Sequence, residues 1–186
     1  MNINSHFQYR TCDLKDISAI HLFREATYAI DPVIPKSEIS KLVADRWDGC
    51  STHFGLLNGN SLIGTVRLSH PIDEILPIHD TIDIKLVSPI VELSRGLIHP
   101  LHRNGIGALV LFRKVCAHIY RNPSNLITDV IFRAGHPGFR RQLFRMGLVD
   151  TGMRYWDQRY NAESAIFVGS KDVLTSRIEK RVWKLN

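Results

Sequence analysis

The sequence predicts one mixed α/β domain over residues 1–186, a mostly antiparallel sheet with helices on both of its faces. Three observations lead there. Two strand-like runs, 52–57 and 61–69, flank Asn58-Gly59-Asn60, a strong hairpin turn signal. A further apolar run, 90–99, stops at Pro100, crosses a polar loop with two glycines and enters an apolar helix. The 186 residues suffice for one domain with a real core, and they contain no repeat, low-complexity tract or credible linker.

Residues 7–11 read as a short first strand. Asp13 is the expected N-cap of a helix to about Ala29, with Ile17, Ile20, Leu22, Phe23 and Ala26 as its apolar stripe. Arg24 and Tyr28 are four apart and share one helix face. Asp31-Pro32 and Ile34-Pro35 end this helix. A helical piece over 36–43 leads to Asp45-Arg46-Trp47-Asp48-Gly49, and then comes the hairpin, with Arg67 near the end of its second strand. Residues 70–89, with Pro71, Pro77 and Pro89, read as a long excursion holding at most a short helix. After the strand 90–99, a helix runs from Gly105 to about Tyr120, its stripe being Ala108, Leu109, Leu111, Phe112, Val115 and Ile119. A strand at 126–132 comes next, then a helix opened by Pro137 that runs through Phe144 and stops at Gly147. Late strands at 148–155 and 165–169 and a helix at 174–183 complete the chain.

Composition narrows the class. Apolar content of 44% and charge of 23% are those of an ordinary globular chain. No apolar run approaches the roughly 18 residues of a membrane span. The first residues have neither a basic n-region nor an apolar h-region, so no secretory signal is expected and the location expected is the cytoplasm. Three scattered cysteines with no Cys-x-x-Cys argue for a reducing compartment and against a zinc cluster. His99-Pro-Leu-His102 has no Asp, Glu or Cys beside it, and no metal is expected. The net charge of +6 hides an asymmetry: residues 1–94 carry 8 Lys/Arg against 12 Asp/Glu, residues 95–160 carry 11 against 3. A basic excess that begins at the glycine loop suits an acidic partner, whether a phosphate-bearing cofactor, an acidic carrier protein or nucleic acid, and equally a solvated basic face. Few aromatics are interleaved with the basic residues, which argues against a nucleic-acid-binding module.

A strand feeding a glycine loop at a helix N-terminus can hold a phosphate, because loop N–H groups and the helix dipole both favour an anion. The loop His102-Arg103-Asn104-Gly105-Ile106-Gly107-Ala108 resembles the pyrophosphate loop of the GCN5-related N-acetyltransferase (GNAT) superfamily, with His102 where Gln or Arg is usual. Glu92-Leu-Ser-Arg95 in the preceding strand is similar to the tetrapeptide of acyl-homoserine-lactone synthases and N-acyl amino acid synthases, which share that fold. Arg24-x-x-x-Tyr28, Asp45-x-x-Asp48, Gly64-Thr-Val-Arg67-Leu and Phe144-Arg145-x-Gly147 resemble further motifs of that branch, over roughly residues 20–152. Where acetyltransferases of the superfamily often place a tyrosine acid, this chain has Leu143.

The resemblance implies a GNAT-like fold and an N-acyltransferase that moves an acyl chain from a phosphopantetheine thioester to a small amine acceptor such as an amino acid. Acyl carrier protein or acyl-CoA would be the co-substrate, with no prosthetic group. An acetyl-CoA-dependent N-acetyltransferase is the alternative. Glu92 is the first candidate for proton acceptor, with Asp45 or Asp48 second. Arg24, Tyr28, Arg67 and Arg95 would bind the acceptor or structure the site. Backbone N–H groups near Leu97 and Ile98 would face the thioester oxygen, and residues 102–108 would hold the cofactor's phosphates. Arg113, Lys114, Arg140, Arg141 and Arg145 are candidates for docking a carrier protein. The same six charges, Arg24, Asp45, Asp48, Arg67, Glu92 and Arg95, could instead form a buried ion-pair network. Glu92 and Arg95 are three apart in a strand and so point to opposite faces unless a bulge intervenes. Glu92 is then expected in the cleft and Arg95 on an N-terminal carboxylate.

Overall fold

The computed structural model describes residues 9–32, 34–86, 89–103, 106–121, 125–131, 141 and 143–183. The strands are β1 (Tyr9–Leu14), β2 (Thr52–Asn58), β3 (Ser61–Ser69), β4 (Ile90–Ile98), β5 (Asn125–Ile131), β6 (Val149–Asp157) and β7 (Ala162–Ser170). They form one sheet in the order β1-β2-β3-β4-β5-β7-β6. All neighbours are antiparallel except β4 and β5, which run parallel across α3. The helices are α1 (Ile17–Ala29), α2 (Ile39–Val43), α3 (Gly107–Ile119) and α4 (Lys171–Trp183). This is the mostly antiparallel sheet with helices on both faces that the sequence predicts.

Alternation along the strands divides the molecule. Phe54, Leu56, Val66, Leu68, Val91, Leu93 and Phe167 turn to one face, where they meet Leu111, Val115 and Ile119 of α3 and Leu174 and Ile178 of α4. Each such side chain removed from water contributes about 1.5–3 kcal/mol. The opposite face is covered in two patches. Tyr28, Ile34 and Leu42, from α1, α2 and their connection, form one. Leu76 and Ile78 of the 70–86 excursion, packed with Ile90 and Ile166, form the other. The polar side chains of β4 emerge between these two patches.

Several local expectations shift. Asp13 is not a helix cap: it lies in β1 opposite Phe54, and Asp16 caps α1 by accepting the Ala19 N–H at 3.2 Å. The buried stripe of α1 is Ile20, Arg24, Thr27 and Tyr28, while Leu22 is 67% exposed and Ala26 is exposed. An arginine at the centre of the stripe defeats an apolar pattern search. The late strands are longer than expected, because Asp157 and Ser164 are buried polar residues that keep the ladder going beyond the apolar run. The predicted stop at Gly147 holds: at φ 88° its N–H reaches Phe144 O, and Leu148 N–H reaches Leu143 O. The helix start at Pro137 lies outside the described residues.

Two irregularities in β4 shape the polar face of the sheet. Its pairing with β5 runs from Ile90↔Asn125 to Leu93↔Thr128; beyond that β4 continues on β3 to Ile98, and β5 continues on β7 to Ile131. The two parallel strands therefore part after Leu93. In the same stretch β3 advances from Thr65 to Arg67 while β4 runs from Leu97 back to Ser94, one residue more. The extra residue is a bulge at Arg95, whose φ is 53°.

Candidate active site

The bulge decides where Arg95 points. In a regular strand it would join Val91 and Leu93 in the core. In its left-handed conformation it turns to the face of Glu92 and Ser94 instead, and all three line one open polar pocket of about 80 Å³. The pocket lies between the two patches of the second face, and Lys41, Asp45, Trp47, Arg67, Pro77, Asp80, Arg159 and Tyr160 complete its lining. The expected split of Glu92 and Arg95 onto opposite faces is thus corrected, and the expected pairing of Arg95 with an N-terminal carboxylate is present, on Asp45.

At the pocket wall and behind it, three arginines interleave with two aspartates. Arg24 Nη1 donates to both Asp48 oxygens at 3.0 and 2.8 Å and to Val43 O at 2.9 Å. Arg67 Nη1 donates to Asp45 and, at 3.0 Å, to Asp48; its Nε donates to Ser94 Oγ at 3.1 Å. Arg95 Nη2 donates to Asp45 Oδ2 at 2.7 Å. His21 Nε2 lies 3.0 Å from Asp48 Oδ2, and His53 Nε2 lies 2.9 Å from Asp48 O. Arg24, Arg67, Asp48, His53 and Arg95 are all buried. Burial alone would raise both carboxyls. The hydrogen bonds and charge of Arg24, with His21 and Arg67, outweigh it for Asp48 and hold it well below the usual carboxylate range. The charges of Arg67 and Arg95 do the same for Asp45. Burial lowers His53, so it is neutral at pH 7.

Glu92 is held differently. It is buried, and its Oε2 accepts the Ile78 N–H at 2.7 Å, so the 70–86 excursion fixes its orientation. That excursion is tied at two more points. Asp80 accepts from Trp47 Nε1 at 2.7 Å and from Arg46. Arg159, paired through Nε and Nη2 with Asp157, reaches Thr81 Oγ1 at 3.2 Å. Tyr160 closes the side nearest α1: its Oη receives Arg95 Nη1 at 3.1 Å and lies 3.3 Å from Tyr28 Oη, the rings edge-on.

Of the residues singled out in the sequence, Asp45, Arg67, Glu92 and Arg95 reach the pocket wall. Arg24 and Asp48 stand one layer behind, and Tyr28 supports Tyr160. Leu97 and Ile98 lie on the part of β4 that has left β5. His102 comes next in a short turn whose N–H bonds to His99 O. Arg103 donates to Ile98 O at 3.0 Å and lies 3.6 Å from Asp31, so it braces the loop against the end of α1. Asn104 and Gly105 lie outside the described residues. Ile106 precedes α3 without a side-chain cap among the described residues, Gly107 is buried and Ala108 half-buried. Arg113, Arg141 and Arg145 are exposed; Lys114 pairs with Asp13 at 3.1 Å; Arg140 is outside the described residues. Among the described residues no group of His, Cys, Asp or Glu is placed to hold a metal, and no helix is long and apolar enough to cross a membrane.

Sequence reasoning missed Lys41, Asp80, Arg159 and Tyr160. Trp47 and Ser94 lay inside motifs already marked. Asp80 sits in an excursion without a pattern, and Arg159 and Tyr160 in a hairpin turn, where polar residues are unremarked.

No family profile and no curated protein sequence matches this chain. Solved structures do. FeeM, an N-acyl amino acid synthase from uncultured soil microbes, superposes with a TM-score of 0.67 at 16% identity, over 91% of this chain and 96% of FeeM. Arabidopsis thaliana NAA60 in complex with acetyl-CoA gives 0.60 at 15%, over 87% and 99%. The PaiA N-acetyltransferase of Thermoplasma acidophilum in complex with coenzyme A gives 0.59 at 12%, over 87% and 98%. The fold of this chain is the GNAT fold, as the resemblance implied.

Proposed function

We propose that this protein is an N-acyltransferase. It moves an acyl chain from a phosphopantetheine thioester, carried by coenzyme A or acyl carrier protein, to the amine of a small acceptor such as an amino acid. The observation that carries the reading is Glu92: a buried carboxylate, oriented by a backbone N–H, lining an open polar pocket beside the point where β4 and β5 part. The likeness in fold to an N-acyl amino acid synthase and to two acetyltransferases supports it.

These positions divide the chemistry between them. The donor's phosphates suit the glycine loop and the start of α3, and its extended arm suits the opening between the parted strands. The acceptor amine sits against Glu92. Its nitrogen attacks the thioester carbonyl, the new C–N bond forms, the C–S bond breaks, and Glu92 takes the amine proton directly or through water. The backbone N–H of Ile98, turned away from β3 because the next N–H, of His99, bonds Ile63 O, suits the oxygen as it gains charge. Holding both reactants in one cleft supplies much of the acceleration. Asp45 and Asp48 are poorer bases, since their guanidinium partners keep them ionised and occupied. Lys41, Arg67, Arg95 and Arg159 line the pocket together with Glu92, which suits an acceptor that carries a carboxylate as well as an amine.

The test is an intact-mass search for new acylated amines in cells producing the protein, set against cells producing Glu92→Gln. A long-chain N-acyl amino acid present only with the unaltered protein supports the reading. Acetylated amines alone would move it to the acetyltransferase alternative, and identical profiles would remove Glu92 from the mechanism.

A further inference from the structure

The four cations on the pocket wall are engaged to different degrees. Arg67 shares its Nη1 between Asp45 and Asp48 and gives Nε to Ser94 Oγ. Arg95 gives Nη2 to Asp45 and Nη1 to Tyr160. Lys41 Nζ lies 3.0 Å from Glu38, with its side chain 64% exposed. Arg159 is clamped from one side. Its Nε and Nη2 donate to the two oxygens of Asp157 at 2.9 and 2.6 Å, and Nη2 also reaches Thr81 Oγ1 at 3.2 Å. Asp157 is buried, and a planar guanidinium held by a fork of two bonds has a fixed orientation. Arg159 Nη1 has no partner among the described residues. Arg95 stands near enough to oppose the Arg159 charge, and an anion at Nη1 would relieve that opposition. An anion beside Arg67 would instead meet Asp45 and Asp48.

The charges around the pocket also match one another. Arg24, Arg67 and Arg95 stand against Asp45, Asp48 and Glu92, Arg46 against Asp80, Lys41 against Glu38 and Arg159 against Asp157. An acceptor that enters with an ammonium group alone adds an unmatched charge to a partly buried site. One that enters as a zwitterion adds none.

We infer that Arg159 selects the acceptor: its unbonded Nη1 takes the carboxylate of a free amino acid whose amine lies on Glu92. The inference rests on the acyl-transfer reading above and narrows it from small amines to zwitterions. Glu92 and Arg159 line the same pocket of about 80 Å³, so one small molecule spans them. Amino acid amides and simple alkylamines bring nothing for Nη1 and are poor acceptors. A protein N-terminus, with a peptide bond in place of the carboxylate, is refused for the same reason. Asp157 and Thr81 serve by holding the guanidinium in place.

The measurement is kcat and KM for the standard amino acids and for their amides, by mass spectrometry, with acetyl to palmitoyl donors on coenzyme A and on acyl carrier protein. The amides have the less basic amine, which loses its proton more readily, so a preference for the acids has to come from the carboxylate. The unaltered protein should favour the acid over its amide by about 100-fold in kcat/KM, the size of a charge-assisted contact. In Arg159→Gln that preference should fall below about 10-fold, through a rise in KM for the acid with kcat little changed. Because this change leaves the buried Asp157 without its guanidinium, Asp157→Asn combined with Arg159→Gln removes both charges and should narrow the preference equally. Amides acylated as well as acids by the unaltered protein, or a preference that survives in both variants, overturn the assignment of Arg159 alone. Failure of the unaltered protein to acylate any acceptor from any donor overturns the functional reading, and this assignment with it.

Discussion

Arg95 reaches Asp45 only by adopting a left-handed backbone. Its φ of 53° carries the guanidinium out of the core side of β4 and places Nη2 2.7 Å from Asp45 Oδ2. A non-glycine residue there costs about 1–2 kcal/mol, and the ion pair and the bond to Tyr160 offset it.

That backbone cost can be measured apart from the ion pair. Arg95→Ala and Arg95→Gly lose the same guanidinium, but only glycine accepts φ 53° freely. In urea unfolding Arg95→Gly should be more stable than Arg95→Ala by about 1 kcal/mol. Equal stabilities would mean that the bulge relaxes once the side chain is gone.

Glu92 and Asp48 should part in their effects. Asp48 neutralises Arg24, which is fully buried, so Asp48→Asn leaves a buried cation unmatched and should cost about 3–5 kcal/mol. Glu92→Gln keeps an oxygen for the Ile78 N–H and should hold its fold while losing about 10²-fold or more in acyl transfer. Denaturant titration and turnover on the same samples separate the two. A Glu92→Gln protein that turns over normally would contradict the assignment.

Acid should act in two stages. His53 binds its proton more weakly when folded than its ordinary value of 6.5, so the unfolded chain protonates first and stability falls as pH drops below about 6.5. Asp45 and Asp48 are depressed from 3.8, so their contribution is present above that value and is lost as pH falls from it through their lower folded values. Melting temperature should therefore decline gently from about pH 6.5 to 5 and steeply below about 4. His53→Gln should flatten the first decline, and an unchanged slope in that variant would assign it to another group.

Salt separates the two donors. Arg113, in the middle of α3, and Arg141 and Arg145, just before the Gly147 turn, are exposed. If an acidic carrier protein docks there, turnover on its thioester should fall steeply between low and high salt, while turnover on the coenzyme A thioester changes little. Parallel salt curves on both donors would count against the carrier protein.

The sheet was largely readable from the sequence, because strands with one buried face alternate and the hairpin carries its own turn residues. The site was readable where charge interrupts an apolar pattern, as at Glu92, Arg95 and Arg67. It was not readable where the chain folds back. Nothing local tells that Tyr160, in the turn between β6 and β7, meets Arg95 sixty-five residues earlier. Arg24 failed the opposite way: a charge at the centre of a buried helix stripe looks like surface until its partner Asp48 is placed. The orientation of Arg95 needed a bulge, and the sequence marks it only by Gly96 next door.

The strand order β5-β7-β6 also governs when the pocket can exist during synthesis. β1 to β4, Asp45, Arg67, Glu92 and Arg95 all lie within the first 98 residues, whereas the outer edge of β5 waits for β7 and Tyr160 arrives just before it. A nascent chain that has emerged only through β5 carries Glu92 and the ion network but lacks Arg159 and Tyr160 of the pocket wall. Emergence of the last hairpin is therefore the step that closes the pocket wall, and a chain stalled before it holds Arg95 without its Tyr160 partner.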